Sequence, residues 1–293
     1  MERIAAQKLT FAIAALLSLL LIGCSGKKTG EDLPPVLKIG VLPDESREKL
    51  AERYEPLRRY LSESLGLRCE LVFYENYLAI VEAFGDGSID LAYFGGLTFV
   101  QAMAAFDAVP LVMRDVDSRF TSYVVARADS TETDLAGYKN SAIAFGSRLS
   151  TSGHLMPRYF LAEQDITPET FFSKVHYSAT HDATVEGVRD GTAEIGVVNS
   201  LIFNSMVADG RIEEGEFHIV WETPPYSNYV WAVQPSLGKT GRKKLRDAFL
   251  ALSPSTEEHE EILRNMGAGG FYPSTAATFS ELNEIALEME LIQ

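Results

Sequence analysis

The sequence predicts an α/β fold in two lobes, and three observations predict it: alternating strand and helix patterns, an internal repeat, and length. Apolar strand runs at Val36–Leu42, Cys69–Tyr74, Ile89–Phe94, Val109–Arg114, Tyr123–Arg127 and Ser141–Phe145 are separated by helical patterns. Such βαβ alternation argues for mostly parallel sheets covered by helices. Between Ser46 and Leu65 the apolar positions Leu50, Tyr54, Leu57, Leu61 and Leu65 recur at three- and four-residue steps, which marks a helix. Pro56 inside it is expected to kink the helix or start a second one. Helices are also expected over Tyr77–Phe84 and Leu97–Phe106.

The repeat relates residues 77–93 (YLAIVEAFGDGSIDLAY) to residues 181–197 (HDATVEGVRDGTAEIGV), 104 positions apart. Ala79/Ala183, Val81/Val185, Glu82/Glu186, Asp86/Asp190 and Gly87/Gly191 coincide. Each copy reads as helix, Asp-Gly turn and strand, with the glycine supplying the positive φ that ends the helix. Any two αβ units share some of this pattern. The closeness of the match points to two lobes of related build that present the same corner to one cleft. Tyr77 and His181 then start equivalent helices, and Tyr93 stands at the C-terminal end of a strand, where open α/β sheets hold ligands.

The N-terminus reads as an export signal. Arg3 and Lys8 precede an apolar run from Phe11 to Ile22, which closes on Leu21-Ile22-Gly23-Cys24. A basic start, a short apolar core and small residues before a cleavage point describe a secretory leader rather than a membrane span. The Leu-x-Gly-Cys ending resembles a bacterial lipobox, with Cys24 lipidated and holding the protein at a membrane surface. Residues 1–23 form the expected signal peptide, and 24–35 the lipidated cysteine and a flexible Gly/Pro-containing tether. The remainder is long enough for two cores. With Cys24 committed to lipid, Cys69 has no internal partner, and it reads as a small buried hydrophobe.

The formal charge is −15, and the leader carries one positive charge, so the mature part stands at about −16. That argues against nucleic acid as a partner. Donors inside a cleft still dominate locally, because surface charge acts only over about 8 Å at physiological salt.

Chemistry concentrates in Gly146-Ser147-Arg148-Leu149-Ser150-Thr151-Ser152-Gly153, between a strand and a helix start. One hydroxyl caps a helix, and three in succession exceed that need. First-turn N–H groups and the positive end of a helix favour an anion. Ser150, Thr151 and Ser152 are therefore candidate oxyanion donors, joined by His181, Tyr77 and Tyr93. No Lys or Arg is identified among the donors. Enzyme signatures are missing: there is no Gly-x-Ser-x-Gly elbow, no His-Glu-x-x-His and no phosphate-loop or dinucleotide-binding glycine pattern. The five histidines lack metal-ligand spacing, and no metal or cofactor is expected. His154 and His176 read as structural residues.

Taken together, KIGVLPDESREKL at 38–50, the turn and strand at 87–93, AFGSRLSTSGHLMPRYFL at 144–161, VHYSATHD at 175–182 and NMGAGGFYP at 265–273 resemble one family. It comprises the phosphate/phosphite/phosphonate-binding proteins of ABC importers, a branch of the type II periplasmic binding proteins. The resemblance runs from about Leu37 to Leu282. It implies two lobes, each a mixed sheet flanked by helices, with a ligand cleft between them. Lobe one would be 36–123 plus 229–293 and lobe two 124–228, with candidate hinge strands at Ser122-Tyr123 and Asn228-Tyr229. It further implies an oxyanion shell of Tyr93, Ser150, Thr151, Ser152 and His181, with Tyr77 lining the crevice. Aminoalkylphosphonate binders of the family hold the ligand's ammonium with carboxylates. The corresponding stretches here, 197–201 and 224–229, contain no Asp or Glu, and Asn228 stands where one is expected. Phosphate, phosphite or a small alkylphosphonate fits better than 2-aminoethylphosphonate. The implied protein is a monomeric receptor delivering its anion to an ABC permease, with a sensory binding protein as the second reading. A hydrolase using Ser152 and His181 lacks an orienting carboxylate, since Asp182 adjoins His181 in sequence.

Overall fold

The computed structural model describes residues 33–292. The leader, Cys24 and most of the tether lie outside the described residues. Eleven strands among the described residues form two sheets. The first half-sheet runs β1 (Val36–Val41), β2 (Arg68–Phe73), β3 (Leu91–Phe94) and β4 (Val109–Arg114). The second sheet takes β5 (Ser122–Arg127), β6 (Ala142–Phe145), β7 (Lys174–Tyr177), β8 (Ile195–Asn199) and β9 (Phe217–Glu222). The chain then returns to the first sheet with β10 (Val230–Val233) and β11 (Phe271–Pro273).

Strand order is β11-β4-β10-β3-β1-β2 in one sheet and β7-β6-β8-β5-β9 in the other. Both sheets are mixed, as the family resemblance implies and contrary to the mostly parallel sheets read from the alternation. β1 pairs in parallel with β2 and β3, while β10 runs antiparallel to both β3 and β4. β6 pairs in parallel with β7 and β8, while β5 is antiparallel to β8 and β9. The reason is connectivity. β5 and β10 each arrive straight from the other sheet, without the crossover helix that a parallel partner requires.

The repeat extends well beyond the segment that revealed it. Ile39 pairs with Leu91 and Lys38 with Glu70; Ile143 pairs with Ile195 and Ala142 with Lys174, every position shifted by the same 104 residues. The helices Tyr77–Gly85 and His181–Arg189 are capped alike, Asn76 accepting from the Ala79 N–H and Thr180 from the Ala183 N–H. Gly87 and Gly191 leave them with φ of 76° and 79°. Asp90 accepts from the Lys38 N–H at 2.9 Å, and its counterpart Glu194 from the Ala142 N–H at 2.6 Å.

The helix Arg47–Leu65 is one continuous element with Pro56 buried inside it, so no second helix begins there. Burial of Leu50, Tyr54, Leu57, Tyr60 and Leu61 along one face outweighs the roughly 3 kcal/mol that an interior proline costs. The second sheet packs separate cores on its two faces. Val124, Ile143, Phe145 and Val197 form one, and Val125, Val185, Val198 and Ile202 the other. Cys69 is free and buried, and burial raises its thiol pKa to about 11.

The two crossings between the sheets lie side by side. Phe120 and Tyr226 exchange both backbone hydrogen bonds, at 2.9 and 3.0 Å, and the Asn228 N–H donates to the Asp117 carbonyl. Ser122 and Tyr123 already belong to β5 and pair with Asn199 and Val198, and Ser122 also accepts the Thr223 N–H from the returning segment at 3.0 Å.

Candidate functional site

The Ser-Thr-Ser segment leaves β6 and enters a wide π turn, Thr151–Leu155, which runs into the helix Met156–Ala162. Ser150 caps it: its Oγ accepts from the Gly153 N–H at 2.9 Å. Gly153 is required here, since a Cβ would stand 3.0 Å from the Gly146 Cα and 3.0 Å from the His181 ring. Thr151 reaches across the cleft, its Oγ1 accepting from the Leu97 N–H at 2.8 Å at the start of the helix Gly96–Phe106. The Ser152 carbonyl is fixed by the Ser122 hydroxyl at 2.7 Å, and its Oγ lies 3.5 Å from His181 Nε2.

His181 opens its helix and is fully buried. Its N–H donates to the Asp44 carbonyl at 2.9 Å. Its Nδ1 accepts the Asn199 N–H at 3.3 Å, so the ring proton resides on Nε2, facing Ser152. Burial pushes the imidazole down to about 4 against the opposing pull of Asp182, and at neutral pH it is an uncharged donor. A serine nucleophile needs the reverse tautomer, with Nδ1–H held by a carboxylate and Nε2 free to take the hydroxyl proton. Asp182 instead accepts the Ser46 N–H from across the cleft. The arrangement presents a hydrogen-bond donor and does not activate a hydroxyl.

Tyr77 and Asn228 join this group from the side of the first sheet, and Tyr93 does not. Tyr77 is buried, with its hydroxyl beside Ser150. Asn228 accepts the Gly96 N–H at 3.2 Å through Oδ1, while its Nδ2 is buried without a partner. A Cβ on Gly95 would touch both Thr151 Oγ1 and Asn228 Oδ1, which places those two side chains together. Tyr93 points to a neighbouring cavity of about 70 Å³ and stacks on Tyr229 with centroids 5.1 Å apart. That volume is several times the 10–15 Å³ that admits one water.

Sequence reasoning missed the charged wall of this cavity. Asp44, Arg53, Arg114, Asn199 and Tyr229 line it together with Tyr93. Arg114 is gripped by Asp117 at 2.9 and 2.6 Å and lies over the rings of Tyr93 and Tyr229. Arg53 pairs with Glu45, whose other oxygen receives Arg211 from the opposite lobe at 3.0 Å. Asp44 follows the C-terminal end of β1, the place where such sheets hold ligands, and that position was the available signal. Among the described residues no cluster of His, Cys, Asp or Glu could hold a metal, and no helix is long and apolar enough to cross a membrane.

His154 is the second imidazole held neutral. Its Nδ1 meets the Arg148 carbonyl at 2.8 Å, and burial, helped by Arg158, lowers it to about 4. For both histidines the unfolded chain binds more protons than the folded one between pH 4 and 6.5. Their contribution to stability is therefore complete above pH 6.5 and is lost as pH falls towards 4. The variant His154→Gln should show a melting-temperature profile shallower by one proton over this window. A profile parallel to that of the wild type would show that His154 is not buried neutral.

Comparison with known proteins decides the family. The phosphonate periplasmic substrate-binding proteins of ABC transporters match residues 39–279. The chain belongs to this family. Its members bind and deliver substrates and are not enzymes. A probable ABC transporter phosphite-binding protein, PhnD1 of Prochlorococcus marinus, is 30% identical over 272 residues, covering 89% of this chain and 92% of its own. The phosphate-import protein PhnD of Mycolicibacterium smegmatis is 27% identical, covering 80% and 79% respectively. The structure of the Prochlorococcus PhnD1 in complex with methylphosphonate superposes with a TM-score of 0.83 and 29% identity, over 88% of this chain and all of that one.

Proposed function

We propose that this protein captures phosphate, phosphite or a small alkylphosphonate between lobe one (36–123 plus 229–293) and lobe two (124–228), and presents it to an ABC permease. The observation that carries this is the convergence of donors in the cleft. Ser150, Thr151 and Ser152 bring hydroxyls, His181 a neutral Nε2–H, and Asn228 a buried Nδ2 with no partner. Tyr77 is buried beside them, and Tyr93 lines the adjoining cavity. Hydrogen bonds to a charged acceptor are about twice as strong as neutral ones, so a shell of neutral donors suffices. The relatives include a phosphite-binding protein, a phosphate-import protein and a complex with methylphosphonate, which supports the same substrate class. Export, with a monomeric receptor tethered through lipid on Cys24, completes the reading; fatty-acid labelling lost in Cys24→Ala would test the anchor.

The decisive test is a thermal-shift panel of phosphate, phosphite, methylphosphonate, 2-aminoethylphosphonate and sulfate. A ligand at 100 times its Kd should stabilise the protein by about 2.7 kcal/mol. Stabilisation by sulfate alone, or by none of the phosphorus oxyanions, overturns the proposal.

A further inference from the structure

Asp44 is the feature of the cleft that an anion receptor least needs. The residue is 3% exposed, and Oδ2 accepts the Tyr229 hydroxyl at 2.7 Å. Tyr229 in turn receives the Asn199 amide at 2.9 Å, and the Asn199 N–H is the group that sets the His181 tautomer. The carboxylate thus shares one network with the oxyanion donors. Its Oδ1, however, is buried with no hydrogen-bond partner, although a charged oxygen in that state costs several kcal/mol.

We propose, building on the oxyanion-capture reading, that Asp44 is a specificity-determining residue. Its Oδ1 accepts a hydrogen bond from a protonated oxygen of the captured anion, so the closed cleft holds one proton between carboxylate and ligand. Two like charges in contact cannot both ionise, and a shared proton relieves them. A ligand ammonium is the other donor chemistry that could satisfy Oδ1. Arg53 and Arg114 on the same cavity wall disfavour it.

Charged and titratable groups from both sheets face Asp44. Arg53 and Arg114 stay charged, held by Glu45 and Asp117. His181 is already neutral, and Asp182 holds the Ser46 N–H. Burial raises the hydroxyls of Tyr54, Tyr77, Tyr93 and Tyr229 above the usual tyrosine value. Asp44 itself is raised by burial, and then by Glu45, to about 6, so above that pH the proton has to come with the ligand.

Phosphate keeps one proton throughout pH 7–9, methylphosphonate loses its last one near neutral pH, and sulfate has none. Calorimetry on the purified protein should therefore find phosphate affinity nearly level from pH 7 to pH 9. Affinities for methylphosphonate and sulfate should fall about tenfold per pH unit, the linkage of one proton. In Asp44→Asn both slopes should flatten, and the preference for phosphate over sulfate should shrink at least about tenfold. Parallel profiles for phosphate and methylphosphonate in the wild type would overturn the role of Asp44 while leaving capture intact, whether or not the variant folds. Tighter binding of 2-aminoethylphosphonate than of methylphosphonate, lost in Asp44→Asn, would overturn it in favour of the ammonium. Failure of the wild type to bind any phosphorus oxyanion rejects capture and this role together.

Discussion

Thr151→Val is expected to weaken methylphosphonate binding by about 10- to 100-fold, the range for a hydrogen bond to a charged group. The substitution keeps shape and removes only the hydroxyl. In the structure that hydroxyl accepts the Leu97 N–H from the opposite side of the cleft, which leaves its own proton free to donate. One side chain thus ties capture to closure. Without it, closing the lobes leaves the Leu97 N–H buried and unpaired, and the anion loses a donor. In an open cleft the same N–H is satisfied by water, so the ligand-free melting temperature should move by no more than about 2 °C. Thr151→Ser, which restores the hydroxyl, should recover most of the affinity. Equal calorimetric affinities for the wild type and Thr151→Val would reject Thr151 as part of the shell.

What could be read from the chain depended on how local the chemistry was. The repeat was legible because caps and turns are local: Asn76 and Thr180, or Gly87 and Gly191, perform the same task at the same spacing. Ser150 to Ser152 stood out for similar reasons, as a run of hydroxyls where a helix must begin. The π turn they form was not legible, because capping residues mark a start and not a pitch. Strand direction was hidden too. Nothing in the composition of Val230–Val233 says that it enters between β3 and β4 from the other sheet. The charged wall was the largest omission. Asp44 meets Tyr229 across 185 residues and Arg53 and Arg114 come from separate elements, so no spacing rule joins them. A formal charge of −15 gave no hint that two guanidinium groups line the cleft.

The largest loss of stability is expected from Asp117→Ala. Asp117 is completely buried and takes three hydrogen bonds from Arg114: Nε at 2.9 Å, Nη2 at 2.6 Å and the backbone N–H at 3.0 Å. Truncating it strands a guanidinium whose side chain is 8% exposed, with the Met266 carbonyl as its remaining partner. Removing one member of a buried pair costs about 3–5 kcal/mol, mostly as the penalty on the charge left behind. For a domain of this size that corresponds to a fall of roughly 10 °C in melting temperature. The loss should also reach the cleft. The Arg114 guanidinium lies 5.8 and 5.2 Å from the ring centroids of Tyr93 and Tyr229, and the backbone carbonyl of Asp117 anchors the crossing at Asn228. Arg114→Met with Asp117→Leu, which removes both charges and keeps much of the volume, should recover most of the stability. It should not restore the ring positions that the guanidinium sets, so its oxyanion affinity should stay below that of the wild type. If Asp117→Ala melts within 2 °C of the wild type, the pair is solvated and Arg114 does not order the tyrosine wall.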